Sequence, residues 1–293
     1  MKVLLTGANG QLGWEIKSQS SKYNFHIEAF DRDNLDITNK DKLRDIMHSV
    51  NPDVVINAAA YTSVDSAERN KRQAYNVNHL GVQNLAELCQ EKSILLIHIS
   101  TDYVFNGLKG EAYEESDETL PINIYGHSKL KGEQSIRSLT DRYLIIRTSW
   151  VFSSHGHNFI KTILNLIRNK EAIKIVDDQF GCPTSARSLA ECIYDICTKY
   201  SKFKDIEYGT YHFTNTPSTS WYLFAEAITE MAYKYEIIEH TENIESISHT
   251  EFKSIAKRPL NSSLSSNKIF KTFNISSSNW YEELEFAISK LSS

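Results

Sequence analysis

The chain has 293 residues, 41% hydrophobic and 24% charged, with a formal net charge of −5 and a pI of about 6.1. This is the composition of an ordinary water-soluble globular chain, long enough for one large or two modest domains. It excludes a broadly basic nucleic-acid footprint, and no run of about 18 apolar residues is present to span a membrane. Cys89, Cys182, Cys192 and Cys197 form no Cys-x-x-Cys pair and are expected as reduced, mostly buried thiols. No signal-peptide pattern opens the chain, so a cytoplasmic location is expected, with no nucleic-acid or membrane partner.

Taken in order, Lys2–Thr6 is the first expected strand. "TGANGQLG" then places Gly7, Gly10 and Gly13 between that strand and a helical pattern. Glycines there permit a tight turn and let backbone N–H groups approach a pyrophosphate, with the helix N-terminus facing the anion. The second strand, at 25–30, ends at Asp31, where a carboxylate meets an adenosine ribose and favours NAD. Arg32 follows and suits the 2′-phosphate of NADP, so the cofactor stays open between NADPH and NADH. Asp36 and Ile37 come next, at the adenine edge or in a helix-capping turn.

Further strands are expected at 53–57, 94–99 and 143–147, with helices at Lys40–Val50 and 74–91. Short apolar runs alternating with helical periodicity predict an α/β fold, a Rossmann-type doubly wound parallel sheet. Beyond Trp150 the rhythm loosens. Helices are expected at 158–169, 185–200, 220–235 and 280–291, strands at Ile173–Val176 and 211–213, and loop or edge structure at 240–248. The expected division is a dinucleotide-binding domain at 1–148 plus about 171–199, interleaved with a smaller α/β substrate-binding lobe at 149–170 plus about 200–293.

Ala58, Ala59 and Ala60 follow the third strand and leave room for a cofactor. Thr101 and Asp102 end the fourth, at the edge where open α/β sheets bind ligands. "YGHSK" then sets Tyr125 and Lys129 on one helical face. A nearby ammonium is expected to lower the phenol's pKa from its usual value near 10. Thr101 as a carbonyl anchor, Tyr125 as proton donor and Lys129 beside it make a coherent site for reducing a carbonyl with hydride. His127 and Ser128 read as fillers. Tyr200 and Lys204 repeat the spacing in "YSKFK", but no glycine loop or threonine-bearing strand end is near them in sequence, and they read as a solvated turn.

The glycine loop, Thr101 and "YGHSK" together resemble an extended short-chain dehydrogenase/reductase. The blocks "GQLGWE", "NAAAYTSVDSAE", "STDYVFNG", "IYGHSKLKGE", "RTSWVF", "DDQFGCPTSA" and "RPLNSSL" resemble the dTDP-4-dehydrorhamnose reductases, from the N-terminus to Leu264. The resemblance implies NAD(P)H-dependent reduction of the 4-keto group of a dTDP-linked 4-keto-6-deoxyhexose. Tyr125 would be the general acid, Lys129 its partner and a ligand of the nicotinamide ribose, and Thr101 the carbonyl anchor. Gly10, Gln11 and Leu12 would face the cofactor, with Asp31, Asp36, Ile37, Ala60, Tyr61 and Thr62 at its edges. Asp102 and Trp150 would touch the sugar nucleotide. Gln179 and Arg258 would lie toward its nucleotide end, the arginine matching a pyrophosphate.

Rival readings differ at particular residues. Related dehydratases carry Thr-Asp-Glu where this chain has Thr101-Asp102-Tyr103, and the missing second carboxylate disfavours elimination. A reductase making the talose epimer and a non-catalytic nucleotide-binding regulatory subunit remain alternatives, though an intact Thr101, Tyr125 and Lys129 argue against the latter. His155 and His157 are weak zinc ligands without further donors, and no catalytic metal is expected. The resemblance allows a structural magnesium at a subunit interface, assigned to no residue here, and a homodimer is compatible with the chain.

Overall fold

The computed structural model describes residues 1–169, 173–239 and 244–291. Its strands are β1 (Lys2–Thr6), β2 (His26–Phe30), β3 (Val54–Asn57), β4 (Leu95–Thr101), β5 (Tyr143–Thr148), β6 (Val151–Phe152), β7 (Ile173–Val176), β8 (Phe180–Gly181), β9 (Thr184–Ser185), β10 (Gly209–His212), β11 (Thr219–Ser220) and β12 (Ile244–Ile247). Its helices are α1 (Gln11–Gln19), α2 (Lys40–Val50), α3 (Val64–Arg69), α4 (Lys71–Tyr75), α5 (Val82–Glu91), α6 (Ile124–Leu139), α7 (Phe159–Arg168), α8 (Ala186–Phe203), α9 (Trp221–Lys234), α10 (Asn267–Phe273) and α11 (Trp280–Ser289).

Six parallel strands form the main sheet in the order β10-β5-β4-β3-β1-β2. Their side chains alternate between two cores, as the period of two in a strand demands. Val3 and Leu5, Val54 and Ile56, Leu95 and Ile97, and Leu144 and Ile146 enter one core, with α1 and α8. Leu4, Val55, Leu96 and Ile145 enter the other, with α2 and α5. A strand buried on both faces therefore reads as an unbroken apolar run. The strand order reverses direction at β1 and β3, which opens a crevice beyond their carboxyl ends.

A second lobe has its own core, built from Phe152, Ile160, Ile163, Ile173, Phe224, Ile228, Trp280 and Leu284. Two strands sit differently from expectation. Ile173–Val176 pairs with β12 and packs in this second core, while β10 adds to the main sheet beside β5. Hydrogen-bond partners decide such placements, and these partners lie far apart in sequence. Within the tract expected as loop or edge, 244–247 is the strand β12, and 240–243 lie outside the described residues.

The helix expected at 74–91 begins at Lys71 and widens into a π-helical stretch over Asn76–Gly81. Tyr200 is buried inside α8, and Lys204 is that helix's left-handed cap, so "YSKFK" is a helix end with its tyrosine in the core. The short helix α10 was not expected from the sequence.

Candidate active site

The crevice at the switch point holds a cleft of about 220 Å³. Gly7, Asn9, Gly10, Asp31, Arg32, Leu35, Asp36, Ile37, Ala60 and Tyr61 are among the residues that line it. Gly7 has φ +73°, and a Cβ there would lie 2.6 Å from the backbone of Ala58. No side chain caps α1 at Gly10, so the first-turn N–H groups keep their capacity for an anion at the rim. Asp31 accepts hydrogen bonds from the Asn9 amide (2.9 Å) and from Asn34 (2.8 and 3.0 Å). These bonds, led by the Asn34 backbone N–H, hold its carboxyl below the usual range. Arg32 stands 3.7 Å from Asp36. A glycine turn too close for side chains, an uncapped helix start and a fixed carboxylate fit a dinucleotide.

The remaining cofactor candidates divide. Gly13 faces the Gly7 carbonyl with no room for a side chain. Leu12 is buried in the core beneath the loop. Gln11 reaches the second lobe, bonding the Val151 carbonyl (3.3 Å) and the Asn158 amide (2.9 Å). Thr62 is exposed and does not line the cleft.

The chemistry-bearing side chains converge where β4 ends and α6 begins. Asn123 caps α6 by accepting from the Gly126 N–H (2.8 Å), and Glu68 accepts from the Ile124 N–H (2.8 Å). Gly126 is required for approach, because a Cβ there would lie 2.1 Å from the Tyr103 carbonyl oxygen. Tyr125 is thereby held edge-on against the Tyr103 ring, with centroids 5.7 Å apart. Burial pushes the Tyr125 phenol up to about 12, against the pull of a hydrogen bond from Thr101. The two hydroxyls thus face one another.

Lys129 does not lower that phenol's pKa, contrary to expectation. Its ammonium is buried and donates instead to the Ile99 carbonyl (2.6 Å), with His98 Nε2 at 3.3 Å. Burial brings the ammonium down to about 8, although Glu133 opposes the fall. A phenol that keeps its proton at neutral pH is suited to giving one away.

Ser128 is no filler. Its buried hydroxyl donates to the Tyr125 carbonyl (2.7 Å) and accepts from Asn78 Nδ2 (3.0 Å). Asn78 also grips both backbone groups of Tyr61, at 2.8 and 2.9 Å. Asn78 sits in the π-helical widening at 76–81. It links Tyr61, in the lining of the cleft, to the start of α6. Asn9, Asn78 and Ser128 escaped the sequence reading because asparagine and serine serve ordinary turns just as well.

On the substrate side, Asp102 is buried with Oδ2 lacking a hydrogen-bond partner of ordinary geometry among the described residues. Trp150 has φ +48°, sits against Gly181 and stacks on Trp221 with centroids 3.5 Å apart. Gln179 is buried before β8. Arg258 donates to Asp65 Oδ2 (2.8 Å), and Asp65 also takes the N–H groups of Ile255 and Ala256. The Arg258 guanidinium also faces Tyr103. Arg258 Nη1 is buried and unpartnered among the described residues. His155 stacks on Trp14. Among the described residues no group of three or more His, Cys, Asp or Glu is arranged to hold a metal.

Comparisons with known proteins agree with the fold. The family described as the RmlD substrate binding domain matches residues 1–293. A dTDP-4-dehydrorhamnose reductase of Aggregatibacter actinomycetemcomitans is 41% identical over 285 residues, 97% of each chain. The crystal structure of a dTDP-4-dehydrorhamnose reductase from Clostridium acetobutylicum ATCC 824 is 36% identical, with a TM-score of 0.92 over 100% of both chains. That of the Bacillus anthracis str. Ames reductase, in complex with NADP, is 37% identical, with a TM-score of 0.89 over 99% of both chains. The chain belongs to the dTDP-4-dehydrorhamnose reductase family, within the short-chain dehydrogenase/reductase fold.

Proposed function

We propose that this protein is a cytoplasmic, NADPH- or NADH-dependent reductase. It converts the 4-keto group of dTDP-4-dehydro-L-rhamnose to the alcohol of dTDP-L-rhamnose, a precursor of cell-surface polysaccharide. The carrying observation is the pairing of the Thr101 and Tyr125 hydroxyls at the carboxyl edge of β4, on the same sheet edge as the dinucleotide cleft. The complex of the Bacillus anthracis relative with NADP supports the cofactor class. Buried cysteines with no disulfide among the described residues suit a reducing compartment.

A dinucleotide fits the glycine turn and Asp31, with Arg32 beside the ribose; when bound, its nicotinamide supplies the hydride. Thr101 and Tyr125 hold the ketone oxygen between their hydroxyls, and Tyr125 gives it the proton as negative charge develops there. Lys129, beside Ile99, would hold the nicotinamide ribose. Asp102 and Trp150 contact the sugar, and Gln179 and Arg258 the rest of the sugar nucleotide.

The test is oxidation of NADPH in the presence of dTDP-4-dehydro-L-rhamnose, with the product identified by NMR. Formation of the rhamnose epimer supports the reading. A talose product would reassign the stereochemistry, and absence of turnover would sink the enzymatic reading.

A further inference from the structure

Thr101 carries one hydroxyl hydrogen and two lone pairs. One lone pair is taken by the Tyr103 N–H, at 3.2 Å. The other protein partners are the Tyr125 hydroxyl, which gives way to the ketone oxygen, and Asp102 Oδ1 at 2.8 Å. An ionised carboxylate has no hydrogen to share, so beside Asp102 in that form Thr101 must spend its own. The threonine would then turn a lone pair toward a ketone oxygen that also offers only lone pairs. With Asp102 protonated the bond reverses. The carboxyl donates, Thr101 accepts twice, and the hydroxyl hydrogen is free.

We infer that Asp102 is a positioning residue whose proton decides whether Thr101 has a hydrogen to offer the substrate's carbonyl oxygen. This rests on the reading of Thr101 as the carbonyl anchor. Asp102 is 3% exposed, and its Oδ2 has no hydrogen-bond partner of ordinary geometry among the described residues. A buried carboxylate this poorly hydrogen-bonded is costly, and the neutral acid costs less. Burial accordingly raises the carboxyl to about 7, with Ser262 and Thr101 opposing through hydrogen bonds. Both forms are therefore populated near neutrality.

Of the groups around Asp102, Lys129 also changes charge close to that range, at about 8, whereas the phenols and the thiol do not. Tyr125, on α6, and Tyr103 are phenols raised by burial, and Cys182, before β9, is a thiol raised by burial. Arg258 faces Tyr103 and is paired with Asp65. Lys129, brought down to about 8, bonds Ile99 and His98.

The experiment measures NADPH oxidation with dTDP-4-dehydro-L-rhamnose over roughly pH 5.5 to 9 for wild type, Asp102→Asn and Thr101→Ala. Infrared difference titration of the carboxyl band accompanies it, on ligand-free wild type and Asp102→Asn. In wild type, kcat/KM should fall about tenfold per unit above the Asp102 midpoint. Asp102→Asn should lose that limb, keeping only the later one of Lys129. Thr101→Ala, slower throughout, should lose it too, because the Asp102 proton reaches the carbonyl oxygen only through Thr101, whatever contact the carboxyl makes with the rest of the sugar. The infrared band should titrate near neutrality and be missing from Asp102→Asn.

A limb unchanged in Asp102→Asn overturns the inference. So does a limb that survives in Thr101→Ala, since Asp102 would then act on the substrate directly. A carboxyl titrating near the ordinary value of about 4 also overturns it, and does so even if Thr101→Ala is too slow to follow. Wild type with no turnover at any pH overturns the reductase reading and this inference together; turnover without the limb overturns this inference alone.

Discussion

Nζ of Lys129 lies 3.3 Å from Nε2 of His98, both buried beneath the sheet's carboxyl edge. The histidine's tautomer follows from its neighbours. Asn57 Oδ1 takes the Thr6 hydroxyl and the Ala59 N–H, so Asn57 Nδ2 faces His98 Nδ1 at 2.9 Å. His98 therefore carries its hydrogen on Nε2, and Lys129 can accept that hydrogen only as a neutral amine. Lys129 has a folded pKa of about 8, below its ordinary 10.5. Between those values the unfolded chain binds more protons than the native one, so stability should rise with pH across the window. The rise should be about 3 kcal/mol. Urea unfolding at several pH values should show it in wild type and not in Lys129→Met.

Removing the phenolic hydroxyl isolates the proton-transfer step. Tyr125→Phe keeps the ring against Tyr103 and should lower turnover about 10²–10⁴-fold. NADPH affinity, followed by fluorescence titration, should stay within about threefold, because the cleft lining does not include Tyr125.

Asp31 is held by Asn9 and Asn34 in the lining of the cleft. Asp31→Ala deletes an acceptor for a ribose hydroxyl while leaving Arg32. The ratio of kcat/KM for NADPH to that for NADH should rise about 10–100-fold, the worth of one charge-assisted hydrogen bond. An unchanged ratio would remove Asp31 from the ribose site.

Glu133 is wholly buried and receives hydrogen bonds from Arg147 (2.8 and 3.0 Å), Arg137 and Ser100. Burial opposes its charge, but Arg147 and Arg137 with Ser100 prevail and hold the carboxyl down to about 2, against an ordinary 4.5. The unfolded chain gains protons first as pH falls, so this stabilisation is lost from about 4.5 down to about 2. Glu133→Gln should cost on the order of 3–5 kcal/mol at neutral pH by leaving the buried Arg147 guanidinium uncompensated. Chemical denaturation should also show a shallower acid limb for the variant.

Gly126→Ala would force a methyl to 2.1 Å from the Tyr103 carbonyl oxygen. The start of α6 must move away, carrying Tyr125 with it. A displacement near 1 Å should cut turnover about 10²-fold, with a loss of about 1–3 kcal/mol in denaturant unfolding.

The sheet was legible because each buried strand is an uninterrupted apolar run, and the glycine turn because only glycine tolerates its geometry. The alignment of Thr101 with Tyr125 was legible because each motif sits at a predictable end of its element. Partners were less so. Nothing local to Lys129 says that it turns to Ile99 and His98, since those contacts depend on how β4 packs against α6. The same holds for Ser128, whose hydroxyl finds Asn78 across a gap of 50 residues. Pairing β7 with β12 joins segments 71 residues apart, beyond what periodicity can report.

The apolar residues of the two lobes alternate along the chain. It leaves the first core for the second at Phe152, returns at Leu189, departs again at Phe224, comes back at Ile269 and departs once more at Trp280. Neither lobe can therefore be excised or exchanged as a single cassette. A new sugar specificity in this scaffold has to be reached by point substitution within the shared cleft, because grafting a foreign lobe would sever the threads that hold both halves together.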